Sequence, residues 1–311
     1  MKFKLSDICG FRKGKVSVST LTLQTYVSTE NMLPNKGGIV AANSLPTVEF
    51  TQEYKKGDIL VSNIRPYFKK IWQARWDGGC SNDVLVFQGN SNINRVFLYY
   101  TLANDDFFTY SMATSKGTKM PRGDKTSIMK YEVPAFDIDT QIRIASVIRC
   151  LDEKIELNAA INKNLEQQAR ALMTDYCDKV YEAAPLGTIM SFINGFAFKS
   201  STYLSNGEYR IITIKNVQDG QVDAKVASFI NTVPFQMKPE CNLQIGDVLI
   251  SLTGNIGRVG IVCEDNLLLN QRVAKFQPFD RRNLPFLYFY YRLPETKTRL
   301  ETIAKGTAQA N

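Results

Sequence analysis

The sequence predicts an α+β protein: two mixed α/β domains separated by a long coiled-coil-type helix. Three observations predict it. The stretch from Asp139 to about Tyr181 holds no Gly and no Pro and repeats its apolar positions in steps of three and four. The segments on either side of it echo each other at a constant shift. The chain has 311 residues, 44% hydrophobic and 22% charged, an ordinary globular composition with enough length for two cores. The expected divisions are a first domain over residues 1–138, a spacer or dimerisation helix over 139–184, and a second domain over 185–311.

The first domain reads as irregular β-structure plus at least one helix. Lys56-Gly57-Asp58-Ile59-Leu60-Val61-Ser62 is a turn feeding an apolar strand, and Asp83 to Gln88 is a second short strand. A helix is expected from Arg95 to Met112, with Gly117 as its stop. Its aromatic run Phe97-Leu-Tyr-Tyr100 reads as a core face rather than a base-stacking platform.

The long helix follows, with Asp139 as its expected N-cap. Ile148, Leu151, Ile155, Asn158, Asn162, Leu165, Ala169, Leu172 and Tyr176 fall on one narrow stripe, a coiled-coil seam in which the two asparagines set register. About 43 residues at roughly 1.5 Å each make a rod on the order of 65 Å long.

The second domain repeats the first. Ile245-Gly246-Asp247-Val248-Leu249-Ile250-Ser251 lies 189 residues after its counterpart, and Phe286-Leu-Tyr-Phe289 and Lys305-Gly306-Thr307 match Phe97–Tyr100 and Lys116–Thr118 at the same shift. The openings, Leu5-Ser-Asp-Ile8 and Leu186-Gly-Thr-Ile189, match at 181. A strand is expected from Val273 to Gln277, and a helix from Pro285, as its first residue, to Ala304. The first copy continues past its Lys-Gly-Thr into Val133-Pro-Ala-Phe136 and the rod, whereas the second ends at Asn311, so a closing segment and a second rod are expected to be missing.

Composition narrows the function. Lys and Arg total 38 against 30 Asp and Glu, a formal charge of +8, which suits a polyanionic partner. There is no histidine, which removes Ser-His-Asp and Cys-His catalysis and His-bound zinc. No P-loop, amino-methyltransferase or nuclease pattern is found; Gly10-Phe-Arg-Lys-Gly14-Lys15-Val16 is one residue short of a P-loop and ends in valine. The six scattered cysteines and the lack of an apolar leader or span point to a reduced, cytoplasmic chain with no membrane contact. No metal is expected, and the chain reads as a binder rather than an enzyme.

The repeated G-D-[IV]-L-[VI]-S strand, the K-G-T loop after an apolar helix, the run Val133-Pro-Ala-Phe-Asp-Ile-Asp-Thr-Gln-Ile-Arg-Ile-Ala-Ser-Val-Ile148 and Leu151-Asp-Glu-Lys-Ile-Glu-Leu-Asn158 resemble the DNA-specificity subunit of type I restriction-modification systems. Ser251-Leu-Thr-Gly-Asn-Ile-Gly257-Arg258, followed by Asn270-Gln271, looks like that family's recognition-domain pattern. The resemblance implies two target-recognition domains, each reading half of a bipartite site in double-stranded DNA, with an antiparallel helix pair setting the gap. It implies no catalysis and no cofactor in this chain. Methyltransferase subunits would dock on the helices and carry S-adenosylmethionine, and a motor-nuclease subunit would join them. A homodimer through the long helix is the expected substitute for the missing second helix. The alternative is a truncated interaction protein, or a silent recognition-domain cassette, that competes for the methyltransferase without reading DNA.

Within that resemblance, the candidate DNA contacts of the first domain are Asn63, Arg65, Tyr67, Lys69 and Lys70 in the loop after the repeated strand, with Lys13 and Lys15 secondary. In the second domain they are Thr253, Asn255 and Arg258, then Lys199, Lys215, Gln271 and Arg272. The competing readings are a solvated basic loop and a hairpin whose glycines only satisfy geometry. Lys116, Thr118, Lys305 and Thr307 recur in both repeats and read as helix-capping residues, with a shared contact to the DNA backbone as the alternative.

Overall fold

The computed structural model describes residues 2–179 and 184–304, so the expected turn at Lys305-Gly306-Thr307 lies outside the described residues. The chain divides into two compact units, Met1–Ala159 and Ala160–Asn311.

In the first unit, one antiparallel sheet runs in the order Cys9–Phe11, Val84–Gly89, Ile59–Ser62, Ile71–Gln73. Ile59–Ser62 is buried along its whole length because a core lies on each face. Ile59 and Val61 pack with Leu85, Phe87, Phe97, Leu98 and Phe107. The alternate residue Leu60 packs with Tyr54, Trp72, Val84 and Val86. A second sheet orders Lys15–Ser17, Phe50–Tyr54, Gly78–Cys80, Tyr26–Val27. The strand Glu132–Pro134, just before the long helix, pairs with Lys2–Lys4.

The second unit uses the same plan. Met190–Asn194, Val273–Pro278, Val248–Ser251 and Val259–Ile261 occupy the first sheet in the matching order, with Gly220–Gln221 added at the edge. Val248 and Ile250 face one core with Phe276, Leu287 and Tyr288. Leu249 faces the other with Ile211, Leu267 and Val273.

The repeat extends to individual hydrogen bonds. Gly57 and Gly246 both turn at φ 90°, a region that favours glycine. The Gly57 N–H donates to Ala74 (2.8 Å) and the Ala74 N–H to Asp58 (2.8 Å); the Gly246 N–H donates to Val262 (2.9 Å) and the Val262 N–H to Asp247 (2.9 Å). Each aspartate carboxylate accepts the backbone N–H three residues back, from Lys55 and Gln244, both at 2.9 Å. Each also holds a cation: Arg12 bonds Asp58 through Nε and, at 3.0 Å, through Nη2, and Lys275 lies 3.2 Å from Asp247. A second shared device was not read from the sequence. Buried Asn31 accepts the N–H and hydroxyl of Ser28, and buried Asn216 does the same for Thr213. Their amides donate to the carbonyls of Val40 and Asp223.

The helices depart from expectation in their breaks. Arg95 to Met112 is not one helix but two, Arg95–Ala103 and Asp105–Ala113. Asn104 leaves the helical region (φ −65°, ψ 142°) and caps the second with its side chain on the Asp106 N–H. Pro285 to Ala304 divides into Leu284–Tyr290 and Pro294–Ala304, since Pro294 brings no N–H to continue the first. Pro285 is thus the second helical residue, and Gly117 lies beyond the Thr114 cap, in a turn of its own at φ 92°.

The long helix spans Ile138–Lys179 without interruption, 42 residues. Its cap is Asp137, two residues before the expected Asp139: the Asp137 carboxylate accepts the Thr140 N–H (2.8 Å) and its carbonyl the Gln141 N–H (3.0 Å). The N-terminal half rests on the first unit through Ala145, a Tyr100–Asp152 hydrogen bond and an Arg75–Glu156 ion pair. The C-terminal half rests on the second unit through Glu166 and Arg170, which meet Arg292 and Asp219. The expected seam is on neither contact. Leu151, Ile155, Leu165, Leu172 and Tyr176 are each more than half exposed; Asn158 and Asn162 are exposed, and Ile148 and Ala169 intermediate. No described helix is long and apolar enough to cross a membrane.

The free cysteines separate by environment. Burial pushes the Cys9 and Cys80 thiols up to about 12, while Cys150 and Cys263 are exposed. Alkylation of the native chain, followed by peptide mass mapping, is expected to label Cys150 and Cys263 and to spare Cys9 and Cys80. Asn216→Ala removes three side-chain hydrogen bonds from a buried turn and should cost about 2–3 kcal/mol in urea unfolding. A cost near zero would mean that the turn holds its shape without the asparagine.

Candidate nucleic-acid interface

The loops that leave the repeated strands carry the candidate residues. In the first unit the buried Ser62 hydroxyl donates to the Ile64 carbonyl (3.1 Å) and starts the 63–70 loop. Arg65 and Lys69 both stand in the left-handed region at φ 51°, bracketing a single 3-10 turn, Pro66–Phe68. Two neighbouring segments hold this loop. On one side the Asn63 carbonyl accepts the Gly123 N–H (3.2 Å) and the Arg65 N–H donates to Pro121 (2.8 Å). On the other, the tip of a hairpin closed by Met32 and Ile39 docks: the Asn35 N–H donates to Phe68 (2.8 Å) and the Lys36 N–H to Lys69 (2.9 Å).

The side chains of this loop have unequal freedom. Tyr67 is exposed, with its ring 4.6 Å from that of Phe68. Lys69 is paired to Asp105 at 2.7 Å. Lys70 donates to the Thr29 carbonyl (2.6 Å) and lies over the Phe68 ring; burial lowers its pKa from the ordinary lysine value. Lys116 and Arg122 border the loop and pair with Asp124 (2.7 Å) and Asp83 (3.1 Å). Lys116 is therefore tied to the N-cap residue of the short helix Lys125–Ile128 and does not cap the helix it follows, whose cap is Thr114. Lys13 and Lys15 are exposed, but Lys13 follows Arg12, which is bound to Asp58 at the opposite end of the strand from residue 63. The structure does not bring Lys13 to this loop.

In the second unit the 252–258 loop is a compact turn. Gly254 and Gly257 have φ 72° and 75°, so turn geometry itself requires glycine there. The buried Ser251 hydroxyl donates to the Asn255 carbonyl and accepts the Arg258 N–H (3.0 Å). Three further segments are linked to this turn. The Leu252 N–H donates to Arg272 (2.9 Å), and the Gln271 N–H to Phe196 (2.9 Å), close to Lys199. Arg258 donates to the Gln218 side chain at 3.1 Å, and Gln218 donates to the Lys215 carbonyl. Lys199, Lys215, Asn255, Gln271 and Arg272 all stay exposed, Arg272 in the left-handed region at φ 72°.

Two observations single these loops out. Among the described residues, the buried side-chain nitrogen and oxygen atoms without a hydrogen-bond partner are Asn63 Oδ1, Arg65 Nε and Thr253 Oγ1. All three follow the repeated strand. Such atoms cost stability inside a fold and mark places where something other than packing is served. Second, among the described residues the non-glycine residues with positive φ are Asn35, Lys36, Arg65, Lys69, Asn266 and Arg272, and all except Asn266 lie in these loops or in the segments hydrogen-bonded to them. Sequence reasoning missed Asn35, Lys36 and Asp105. Pro34-Asn-Lys-Gly37-Gly38 announces a turn, but nothing in the sequence links it to residue 68.

A family model described as the type I restriction modification DNA specificity domain matches residues 1–167 and again 179–311. The chain is 30% identical over 186 residues to the Type I restriction enzyme HindI specificity subunit of Haemophilus influenzae, covering 56% of this chain and 40% of that one. It is 24% identical over 260 residues to the MjaVIII specificity subunit of Methanocaldococcus jannaschii, covering 74% of this chain and 59% of that one. The chain thus spans 40% to 59% of the length of these curated relatives. The type I restriction-modification S subunit from M. genitalium shares the fold, with a TM-score of 0.58 and 17% identity over 97% of this chain and 79% of that one.

Thr253→Val keeps the shape of the side chain and removes its unpartnered hydroxyl. Stability in urea should hold or rise while duplex binding falls; loss of stability with unchanged binding would assign the hydroxyl to the fold. Arg258→Ala separates two roles. If Arg258 grips phosphate, binding to all sequences weakens alike and the salt slope drops by about one. If it reads a base, the loss is about 1–3 kcal/mol and depends on sequence.

Proposed function

Because the chain belongs to the family of type I restriction modification DNA specificity domains, we propose that it reads double-stranded DNA and leaves the chemistry to its partners. The observation that carries this reading is the placement of the three unpartnered buried polar atoms on the loops after the repeated strands. Residues 1–138 and 185–311 are two target-recognition domains, and 139–184 connects them. Asn63, Arg65 and Tyr67 in the first, and Thr253, Asn255, Arg258, Gln271 and Arg272 in the second, present donors and acceptors to base edges and phosphates. Lys70, Lys199 and Lys215 supply charge around them, Lys69 fixes the loop through its ion pair with Asp105, and Lys13 is a phosphate contact outside the loops.

The exposed stripe of the long helix takes a partner helix. Leu151, Ile155, Leu165, Leu172 and Tyr176, in steps of three and four, form a seam of the kind that closes against a second apolar helix, with Asn158 and Asn162 setting register. A second copy of this chain, or a further helix of like pattern, fits it. Methyltransferase subunits holding S-adenosylmethionine dock on that pair, and a motor-nuclease subunit joins the assembly. A non-reading interaction protein or silent cassette is the weaker reading, since the second unit carries both sheets and both cores of the first.

Co-expression with the methyltransferase subunit of the same system, followed by affinity purification and a mass measurement, tests the assembly. The wild-type chain is expected to co-purify with defined stoichiometry and to direct adenine methylation to a two-part site. Ile155→Lys/Leu165→Lys/Leu172→Lys leaves the described contacts of both units untouched. At about 1.5–3 kcal/mol for each apolar side chain no longer buried, it should weaken assembly by three orders of magnitude or more. Unchanged assembly of the triple variant would show that the stripe is not the dock.

A further inference from the structure

Asp105 is the first residue of the helix Asp105–Ala113 and is bound by two lysines from two different loops. Lys36 Nζ reaches Oδ1 at 2.7 Å, and Lys69 Nζ reaches Oδ2 at 2.7 Å. The two lysines belong to the hairpin tip and to the 63–70 loop, and the Lys36 N–H donates to the Lys69 carbonyl at 2.9 Å. Both stand in the left-handed region, at φ 63° and 51°, a conformation disfavoured for residues with a Cβ. One carboxylate therefore spans two strained backbones and occupies both of their ammonium groups. The hydrogen bonds and charges of the two lysines hold this carboxylate down at about 2, so it stays charged. The same hairpin exposes Asn35, and the same loop exposes Tyr67.

An ammonium group on an exposed loop beside nucleic acid binds phosphate whatever the sequence. Such binding adds affinity for every site and discrimination for none. A carboxylate beside DNA is itself repelled by phosphate, so its presence among basic loops needs a return other than affinity. Here it removes two sequence-blind contacts and fastens the hairpin to the loop, which presents Asn35 and Tyr67 as one surface. We propose that Asp105 is a specificity-determining residue of the first unit: it withdraws Lys36 and Lys69 from the phosphate backbone and locks the hairpin 32–39 to the loop 63–70, making Asn35 part of the reading surface. The inference rests on the DNA-reading function proposed above.

The test uses the full chain with its methyltransferase partner and two probes, a random-sequence duplex and a library of randomised duplexes. With the random-sequence duplex, Asp105→Asn is expected to bind more tightly at low salt and to steepen the salt slope by about two, as two lysines become available. From the library, Asp105→Asn should select a half-site blurred at the positions read by the first unit and unchanged at those read by the second. Adding Lys36→Met/Lys69→Met to Asp105→Asn should return the slope to the wild-type value while the blur remains. Asn35→Ala should change the preferred base at one position of the first half-site. An unchanged slope for Asp105→Asn overturns the inference while leaving DNA reading intact. So does a slope below wild type by about two in the triple variant, since the lysines would then already be contacting phosphate. A wild-type complex without sequence preference overturns DNA reading and the inference together.

Discussion

The strand Ile59–Ser62 and its counterpart Val248–Ser251 are the constraint on which the rest is built. Each has four consecutive buried residues and a core on both faces. Such a strand cannot shift register by one residue without exchanging the side chains of its two cores. The turn that enters it is therefore held rigidly, by a glycine at φ 90° and an aspartate that accepts a backbone N–H and binds a cation. The loop that leaves it starts from a fixed point, the buried hydroxyl of Ser62 or Ser251, which bonds the carbonyl of the following loop. Up to that hydroxyl the two units share the glycine turn, its backbone hydrogen bonds and the buried strand. Beyond it, one has a 3-10 turn between two left-handed residues and the other a glycine turn. A constant frame with different loops at the same exit fits the proposed reading of two different half-sites.

The repeat was legible because it reflects packing that side-chain identity dictates. Glycine is required at φ 90°, aspartate closes the turn, and a fully buried strand leaves a run of Ile, Leu and Val. What was not legible depended on contacts distant in sequence or on single residues. Ser28-x-x-Asn31 and Thr213-x-x-Asn216 fix the same turn in both units, but a pair of short polar residues three apart is too common to stand out, and their shift of 185 differs from 189. The break at Asn104 was hidden because asparagine is neutral enough in a helix to pass without notice. Among the candidate contacts, residues 63–70 and 252–258 were read from their position after the repeated strand. The hairpin at 34–37 was missed because its strain and its docking onto residue 68 exist only in three dimensions.

The long helix explains a further limit of pattern reading. Hydrophobic periodicity finds the stripe of Leu151, Leu165 and Leu172, which is exposed. The helix meets the two units largely through polar groups: Gln141 on Asn94, Asp152 on Tyr100, Glu156 on Arg75, Glu166 on Arg292 and Arg170 on Asp219. These residues follow the helical repeat, but with no apolar signature they read as a solvated face. The apolar stripe is thereby left exposed, while hydrogen bonds and ion pairs hold the helix to the unit at each of its halves.

Arg292 is the most deeply buried of the ion-paired side chains in those contacts. Its side chain is 3% exposed and meets Asp219 (2.7 Å), Glu166 (2.6 Å) and the Tyr288 hydroxyl, so one guanidinium ties the end of the Leu284–Tyr290 helix, the 218–219 loop and the long helix together. Burial alone lowers its pKa; the hydrogen bond and charge of Asp219, with Tyr288 and Glu166, outweigh it and leave the net shift upward. An apolar side chain of similar size would fill the same space without the desolvation cost of a buried charge, so stability is a weak reason for an arginine here. Direction is a better one. An apolar contact tolerates rotation of the helix about its axis, whereas a planar guanidinium bonded to carboxylates from two elements does not. Gln218, the neighbour of Asp219, bonds Arg258 in the candidate interface. The loop that orients the long helix on the second unit thus also reaches Arg258, one of the candidate contacts.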